Sequence, residues 1–253
     1  AAQEMHRRWF ESHLDKFNLS YSNRSDEYHG LSIAGPNSRK VLEKIVRDDV
    51  SNEKFKFRDS RRMFVGGVPA IINRISFTGE LGYEIYVAPH YQLKLYEELM
   101  EAGKEFNIKP FGGRALMSMR LEKNWGAWTL DYRPDFTAKE TGLDAFINWD
   151  KEFIGKESAQ KENSSNKLVP LIVETNEIDV TNNEAVLNGD QSIGYVTSGG
   201  FAHFVNKSVA FTFVDQKNIK SENKIQVEIN GDLFNCSIIK EPLYDPSGQK
   251  MRS

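Results

Sequence analysis

The stretch Ser76–Val87 reads SFTGELGYEIYV, and its pattern determines how the rest of the sequence is interpreted. Thr78 and the glycines after it indicate a turn, and Tyr83–Val87 has the aromatic and β-branched residues typical of a strand. Because strand side chains alternate, Glu84 lies on the face opposite to Tyr83 and the aliphatic residues. Glu84 is therefore either a solvated carboxylate or a buried ligand contact. A buried one needs donors, since an unpaired polar group costs on the order of 2–7 kcal/mol.

On both sides of this stretch, strand patterns alternate with helix patterns through about residue 160. Apolar residues recur at helical spacing in four segments and at strand spacing between them. This mixture predicts an α/β or α+β architecture, and α+β is the fold class adopted for the chain. The predicted helices cover 3–17, a segment after Gly35-Pro36, 91–106 and 113–122, and the predicted strands cover 30–34, 63–75 (a pair, with Pro69 indicating an edge or a bulge) and 83–87.

The pattern changes after the polar stretch KENSSNK at 161–167, which is interpreted as a linker. Beyond it, short strands separated by Asn-Gly and Gly-Gly turns predict a small β-barrel or sandwich. The sequence is therefore divided into two domains, 1–160 and 168–253. The predicted strands of the second domain are 168–174, 185–187, 192–197, 208–214, 225–229 and 234–239.

Composition and motif spacing argue against several classes of protein. The 253 residues carry a net charge of −3 with mixed signs, so no basic surface for nucleic acid is expected. No apolar run approaches the roughly 18 residues that span a bilayer, so no membrane partner is expected. The five histidines lack metal-ligand spacing, and no G-x-G-x-x-G follows a strand. The single cysteine, Cys236, excludes an internal disulfide and favours a reducing compartment.

As a motif, SFTGELGYEIYV resembles the strand–turn–strand signature of the aminomethyltransferase (glycine-cleavage T-protein) family. Further segments resemble the same family, in the family's order and at its spacing. They are LSIAGP at 31–36, RLE at 120–122, TAKETGLD at 137–144, FINWDKEFIGK at 146–156, GYVTSG at 194–199 and KSVAFTFV at 207–214. The resemblance implies a folate-binding aminomethyltransferase-like fold, present in part, over 1–160, and a C-terminal β-barrel over 168–253.

Within this family, FTGELGYE, RLEKNWGAW at 120–128 and EPL at 241–243 resemble the folate-binding C-terminal region of dimethylglycine and sarcosine dehydrogenases. This resemblance implies a tetrahydrofolate module that captures the iminium carbon of an oxidised methylamine as 5,10-methylenetetrahydrofolate. It also implies a small methylated amine as substrate and FAD in an N-terminal domain of the same protein. The alternatives are a stand-alone folate-dependent aminomethyltransferase or demethylase, and a non-catalytic regulatory relative. The expected compartment is the bacterial cytoplasm or the mitochondrial matrix.

The resemblance also assigns folate contacts to individual residues. Glu84 would bind the pterin, because a carboxylate accepts both donors of a flat edge formed by N3–H and the 2-amino group. Phe77 takes the position of a ring-contacting tyrosine and retains stacking without the hydroxyl. Arg114 is a further candidate folate contact or else a solvated helix arginine. Tyr83 and Trp128 are candidate wall residues, and the aromatic residues around Trp128 form either a ligand wall or the edge of a core.

No catalytic residue is assigned from the sequence. The family carries an aspartate that positions the folate amine or shuttles its proton, in a segment that would fall before Ala1. The early strands of the folate-binding fold are expected upstream as well, so an N-terminal portion of the same protein is the expected partner.

Overall fold

The computed structural model describes residues 3–175, 177–219 and 224–253, so the first two residues of the predicted domain 1–160 lie outside the description. Contacts divide the chain into two compact units. The first unit comprises Ala1–Ser76, Glu80–Pro110 and Lys250–Ser253, and the second comprises Phe77–Gly79 and Phe111–Gln249. The domain boundaries predicted from the sequence stay a prediction.

A four-stranded antiparallel sheet organises the first unit, with the strand order β1-β4-β3-β2. Gly66 and Gly67 join β2 to β3, with φ values of 58° and 78° that suit a two-residue hairpin turn. The sequence predicted this strand pair and its turn. The strands are β1 (His29–Ala34), β2 (Ser60–Val65), β3 (Val68–Asn73) and β4 (Gly82–Val87).

Strand β3 lies inside the sheet, although Pro69 predicted an edge or a bulge. Pro69 pairs with Phe64 of β2, whereas the pairing of β3 with β4 begins only at Ala70. Proline therefore occupies the one end of β3 that has a neighbour on a single side, where its missing N–H removes no bond to β4.

Helices cover one face of this sheet. Helices α2 (Ser38–Glu43) and α3 (Gln92–Ala102) contribute to a core with the inner residues of the strands. Leu42, Ile72, Ile85 and Leu95 are fully buried there. Helix α3 ends before the predicted 106, since a 3-10 turn at Lys104–Phe106 follows it and Asn107 adopts a left-handed φ of 57°. Helix α1 (Gln3–Leu14) precedes the sheet and buries no residue.

The second unit contains a closed antiparallel barrel with the strand order β10-β5-β8-β7-β6-β9. A barrel rather than a sandwich is therefore correct. Closure pairs every strand of the barrel with a neighbour on both sides, so no strand edge stays open. The strands are β5 (Asn166–Val173), β6 (Ala185–Asn188), β7 (Gln191–Ala202), β8 (Lys207–Asp215), β9 (Ile225–Ile229) and β10 (Asp232–Ile238).

Helix α4 (Gly113–Glu122) packs against this barrel within the second unit. Leu121 joins Ala202, Val209 and Phe211 in one buried cluster. Helix α5 (Lys156–Lys161) leads into β5, and α6 (Gln249–Arg252) follows β10.

The polar stretch 161–167 is hydrogen-bonded rather than extended away from its neighbours. Ser164 Oγ donates to Glu140 Oε1 at 2.6 Å, and Thr137 Oγ1 donates to Glu162 Oε1 at 2.6 Å. Because β5 already begins at Asn166, the predicted linker is short and held in place.

Candidate functional site

Glu84 lies in the middle of β4, on the face of the sheet away from the hydrophobic core, and is half-buried. The hydroxyl of Tyr86, two residues further along the same face, donates a hydrogen bond to Glu84 Oε2 at 2.6 Å. Oε1 of Glu84 accepts no hydrogen bond from any residue that the structure describes. The carboxylate therefore keeps acceptor capacity for two further donors.

Tyr86 holds the Glu84 carboxylate from one side. Burial, with the adjacent Glu84 carboxylate, raises the pKa of Tyr86 to about 12, so its hydroxyl is a donor at neutral pH. The Tyr86 ring lies over Gly30, its cross-strand neighbour on β1. A Cβ on Gly30 would lie 3.0 Å from a ring carbon of Tyr86, so glycine leaves the room that this ring position needs.

Two polar side chains flank Glu84 across the sheet. Ser32 on β1 and Asn73 on β3 are its direct cross-strand partners. Residues directly opposite each other in antiparallel strands have Cβ atoms about 4.5–5.5 Å apart. Three polar side chains thus form one row on the same face, and only Glu84 was predicted from the sequence.

Tyr83 lies on the opposite face of β4 and is 1% exposed. Its ring stacks on Phe55 with 5.9 Å between centroids, and burial raises the pKa of the Tyr83 phenol. The structure therefore places Tyr83 in the core of the first unit and does not bring it to the face that carries Glu84. Its assignment as a ligand-wall residue stays a prediction.

An aromatic group lies in the second unit. Phe77 stacks on Trp125 with 6.4 Å between centroids and 22° between planes. Trp128 is 71% exposed and meets Tyr132 edge-on at 6.0 Å. The half-buried pair fits the edge of a core, whereas the exposed indole of Trp128 is compatible with its predicted role as a wall residue.

Arg114 is the second residue of α4 and is exposed. Its guanidinium makes no hydrogen bond or ion pair with the residues that the structure describes. Both predicted roles of Arg114, a folate contact and a solvated helix arginine, are compatible with this position.

A fully buried ionic centre in the second unit was not predicted from the sequence. Arg120 and Asp131 are both 0% exposed and form an ion pair at 2.6 Å. Asp131 also accepts hydrogen bonds from Thr197 Oγ1 at 2.5 Å, Ser198 Oγ at 2.6 Å and the Ala127 amide at 2.8 Å. Both carboxylate oxygens are engaged, so this centre joins α4 to the barrel and the Asp131 carboxylate has no capacity for a ligand.

The residues after Arg120 continue this attachment to the barrel. Glu122, 5% exposed, accepts a hydrogen bond from the Phe204 amide at 2.5 Å, and burial raises the pKa of its carboxyl. Lys123 pairs with Asp245 at 3.2 Å. The RLEK segment is therefore structural in this chain, although it belongs to the motif that carries the family resemblance.

Other features of the described residues add little to a site. A cavity of about 580 Å³ in the second unit is lined by Thr137, Trp149 and residues of α5. Among the described residues, no group of three or more His, Cys, Asp or Glu side chains is arranged to hold a metal ion. None of the helices described is long and apolar enough to cross a membrane.

The family model described as "GCVT N-terminal domain" matches residues 1–151. The model described as "Glycine cleavage T-protein C-terminal barrel domain" matches residues 166–245. The chain belongs to the glycine cleavage T-protein family, which confirms the resemblance found in the sequence.

Relatives within the family are of two kinds. The mitochondrial dimethylglycine dehydrogenase of Homo sapiens is 35% identical over 93% of this chain and 28% of its own length. The aminomethyltransferase of Thermoanaerobacter pseudethanolicus is 30% identical over 96% of this chain and 67% of its own length. The chain thus spans little more than a quarter of the dehydrogenase that it matches.

A solved structure has the same fold. The glycine cleavage system aminomethyltransferase T from Bartonella henselae superposes with a TM-score of 0.75, covering 87% of this chain and 60% of its own. Its sequence is 22% identical, so the likeness concerns the fold.

Proposed function

We propose that this chain is a tetrahydrofolate-binding one-carbon transfer module of an N-methylamine-oxidising flavoenzyme of the dimethylglycine or sarcosine dehydrogenase type. In this proposal a flavin in another domain of the same protein oxidises the methylamine, and the module captures the iminium carbon as 5,10-methylenetetrahydrofolate. The single cysteine supports a reducing compartment, the bacterial cytoplasm or the mitochondrial matrix.

The observation that carries the proposal is the state of the Glu84 carboxylate. It is half-buried and hydrogen-bonded on one oxygen by Tyr86, while the other oxygen accepts nothing from the described residues. A pterin edge offers two parallel N–H donors, which a carboxylate accepts as it accepts the fork of an arginine. The residues present therefore fit the ring of tetrahydrofolate.

Tetrahydrofolate supplies, when bound, the nitrogens that take up a one-carbon unit. The chain's own contribution is to bind and orient the ring. Glu84 anchors the pterin edge, and Tyr86 holds the carboxylate in place through its hydrogen bond. Orientation of this kind contributes to rate because it removes rotational freedom before the reaction.

A second function, a stand-alone folate-dependent aminomethyltransferase or demethylase, is favoured by a specific observation. The Thermoanaerobacter aminomethyltransferase matches 96% of this chain and is covered over two thirds of its own length. The absorbance of the purified full-length protein separates the two functions. A flavin spectrum supports the dehydrogenase-type protein, and its absence supports the stand-alone enzyme.

Thermal unfolding with and without tetrahydrofolate tests the binding function. Ligand at about 100 times its Kd stabilises the folded protein by about 2.7 kcal/mol. We expect Glu84→Gln to lose most of this protection, because a hydrogen bond to a charged group contributes about 1.5–3 kcal/mol.

Glu228→Gln serves as the control, since it changes an exposed strand glutamate of the barrel in the same way. It should retain full protection by tetrahydrofolate. Equal protection of the Glu84→Gln and Glu228→Gln proteins would remove Glu84 from the site.

A further inference from the structure

The polar row on the outer face of the sheet extends beyond Glu84. Ser32, Glu84 and Asn73 stand side by side on β1, β4 and β3, in register. Ser60 on β2 continues the row beyond Asn73. Within the part of the chain that the structure describes, the side chains of Ser32 and Asn73 make no hydrogen bond, either with Glu84 or with another residue.

The chemistry of the row has a definite order. A carboxylate such as that of Glu84 in the middle only accepts hydrogen bonds, whereas the hydroxyl of Ser32 and the NH₂ of Asn73 on either side can donate. A ligand edge that matches this row has two donors in its centre and an acceptor at each end. A pterin edge has this order: the 4-oxo group, N3–H, the 2-amino group and N1.

We propose that Asn73 determines specificity at this site by donating its carboxamide N–H to the ring acceptor next to the two donors held by Glu84. This inference rests on the proposed binding of a pterin and adds a residue that reads its edge. Ser32 stands on the other side of Glu84, where its hydroxyl faces the remaining acceptor.

Ser32 and Ser60 are exposed, but the partial burial of Glu84 and Asn73 supports a ligand rather than water as the partner of these two side chains. Glu84 and Asn73 are half-buried on the face that the core of the first unit does not use. A hydrogen bond adds only a little net free energy to binding, but a buried polar group that is left without a partner costs its full desolvation free energy. A site built to form hydrogen bonds therefore rejects a ring that lacks the matching groups.

Two substitutions at Asn73 distinguish a donor from an acceptor. Asn73→Ala removes the side-chain contact, and Asn73→Asp replaces the N–H donor by an acceptor of the same shape. If Asn73 donates, the affinity for tetrahydrofolate should fall in the order wild type, Asn73→Ala, Asn73→Asp, with a loss of at least about tenfold for the aspartate. Affinity is measured by calorimetry on the full-length protein under anaerobic conditions.

The ring alone serves as a second probe. A tetrahydropterin without the benzoylglutamate tail should lose affinity by the same factor in Asn73→Asp, because the proposed contact is made only with the ring edge. Asn182→Asp makes the same change at an exposed asparagine of the second unit, and this variant should bind both ligands as the wild type does.

The outcomes separate this inference from the proposed function. A wild-type protein that binds neither ligand overturns both. Binding that depends on Glu84 but is unchanged in Asn73→Ala, or is equal or tighter in Asn73→Asp, overturns the role of Asn73 and leaves the proposed function standing. If Asn73→Asp lowers the affinity for tetrahydrofolate but not for the tetrahydropterin without the tail, the role of Asn73 is overturned as well.

Discussion

Two carboxylates, Glu84 and Asp131, lie in two units of the same chain and have opposite surroundings. Asp131 is fully buried and receives four hydrogen bonds from Arg120, Thr197, Ser198 and the Ala127 amide. Glu84 is half-buried and receives one hydrogen bond from the described residues, that of Tyr86. Both sit among well-packed elements, so the difference lies in how far the protein itself satisfies each carboxylate.

The difference separates a structural carboxylate, Asp131, from the carboxylate that we propose to bind a ligand, Glu84. A buried charge must be paired, and at Asp131 the partners all come from the chain. Among the residues that the structure describes, the side chains of Ser32 and Asn73 beside Glu84 also have no hydrogen-bond partner, which leaves a group of polar atoms available together. Depth of burial alone would select Asp131 as the candidate ligand-binding carboxylate. The number of carboxylate oxygens already engaged by the protein selects Glu84 instead.

The largest change in stability is expected at the buried ionic centre formed by Arg120 and Asp131. Asp131→Ala leaves the buried guanidinium of Arg120 without its counter-charge, so the free energy of unfolding should fall by about 3–5 kcal/mol. Urea denaturation measures this loss. Asp135→Ala, which breaks the exposed pair between Asp135 and Arg133, should cost less than about 0.5–1 kcal/mol. Similar losses in the two variants would contradict the comparison.

Gly126→Ala tests the packing beside that centre. A Cβ on Gly126 would lie 2.4 Å from Cζ of Tyr132, whose hydroxyl accepts a hydrogen bond from the Gly126 amide at 3.1 Å. The ring must move, and we expect unfolding to become easier by about 1–3 kcal/mol. Gly113→Ala is the matched control, because nothing lies within 4 Å of its Cβ position. A neutral Gly126→Ala would show that the Tyr132 ring is not fixed.

Tyr86→Phe tests the proposed ligand site around Glu84. It removes one hydrogen bond from Glu84 and leaves the ring in place, so stability should change by less than about 0.5 kcal/mol. Tetrahydrofolate affinity should fall by up to about tenfold, in line with a net hydrogen-bond contribution of about 0.5–1.5 kcal/mol. Calorimetric titration measures it, with Tyr96→Phe on the exposed side of α3 as the control. A large loss of stability with unchanged affinity would make Tyr86 structural.

The smallest expected effect concerns pH. Burial raises the pKa of Glu122 above its ordinary 4.5, so the folded protein retains a proton that the unfolded chain releases. Stability should therefore fall as pH rises from about 4.5 through the raised pKa, because the folded state then binds more protons. Urea midpoints across that range should show less decline in Glu122→Gln than in the wild type. An identical slope in both proteins would mean that Glu122 does not contribute.

The sequence allowed prediction of the parts of the fold that depend on local pattern. Alternation placed Glu84 and Tyr86 on one face of β4, helical spacing gave α4 over 113–122, and turn residues gave the short strands of the barrel. The sequence does not give the order of the strands. Pro69 therefore predicted an edge or a bulge, although β3 lies inside the sheet.

The buried ionic centre could not be found in the same way. Asp131 and Ser198 are 67 residues apart, and although Ser198 lies within the motif GYVTSG, Asp131 belongs to no recognisable motif. Arg120 does belong to one, yet its role in joining α4 to the barrel depends on partners that only folding brings together. Pairings of this kind have no local signal, because the residue types involved are also common on solvated surfaces.

By itself the sequence determined the family, the strand that carries Glu84 and the face on which that residue lies. Those properties follow from the period of the strand and from the order of motifs along the chain. Tertiary structure alone decided that Tyr86 would engage one oxygen of Glu84 and that Ser32 and Asn73 would flank it. The physical reason is that register between strands is set by packing and turns across the sheet, which no single strand encodes.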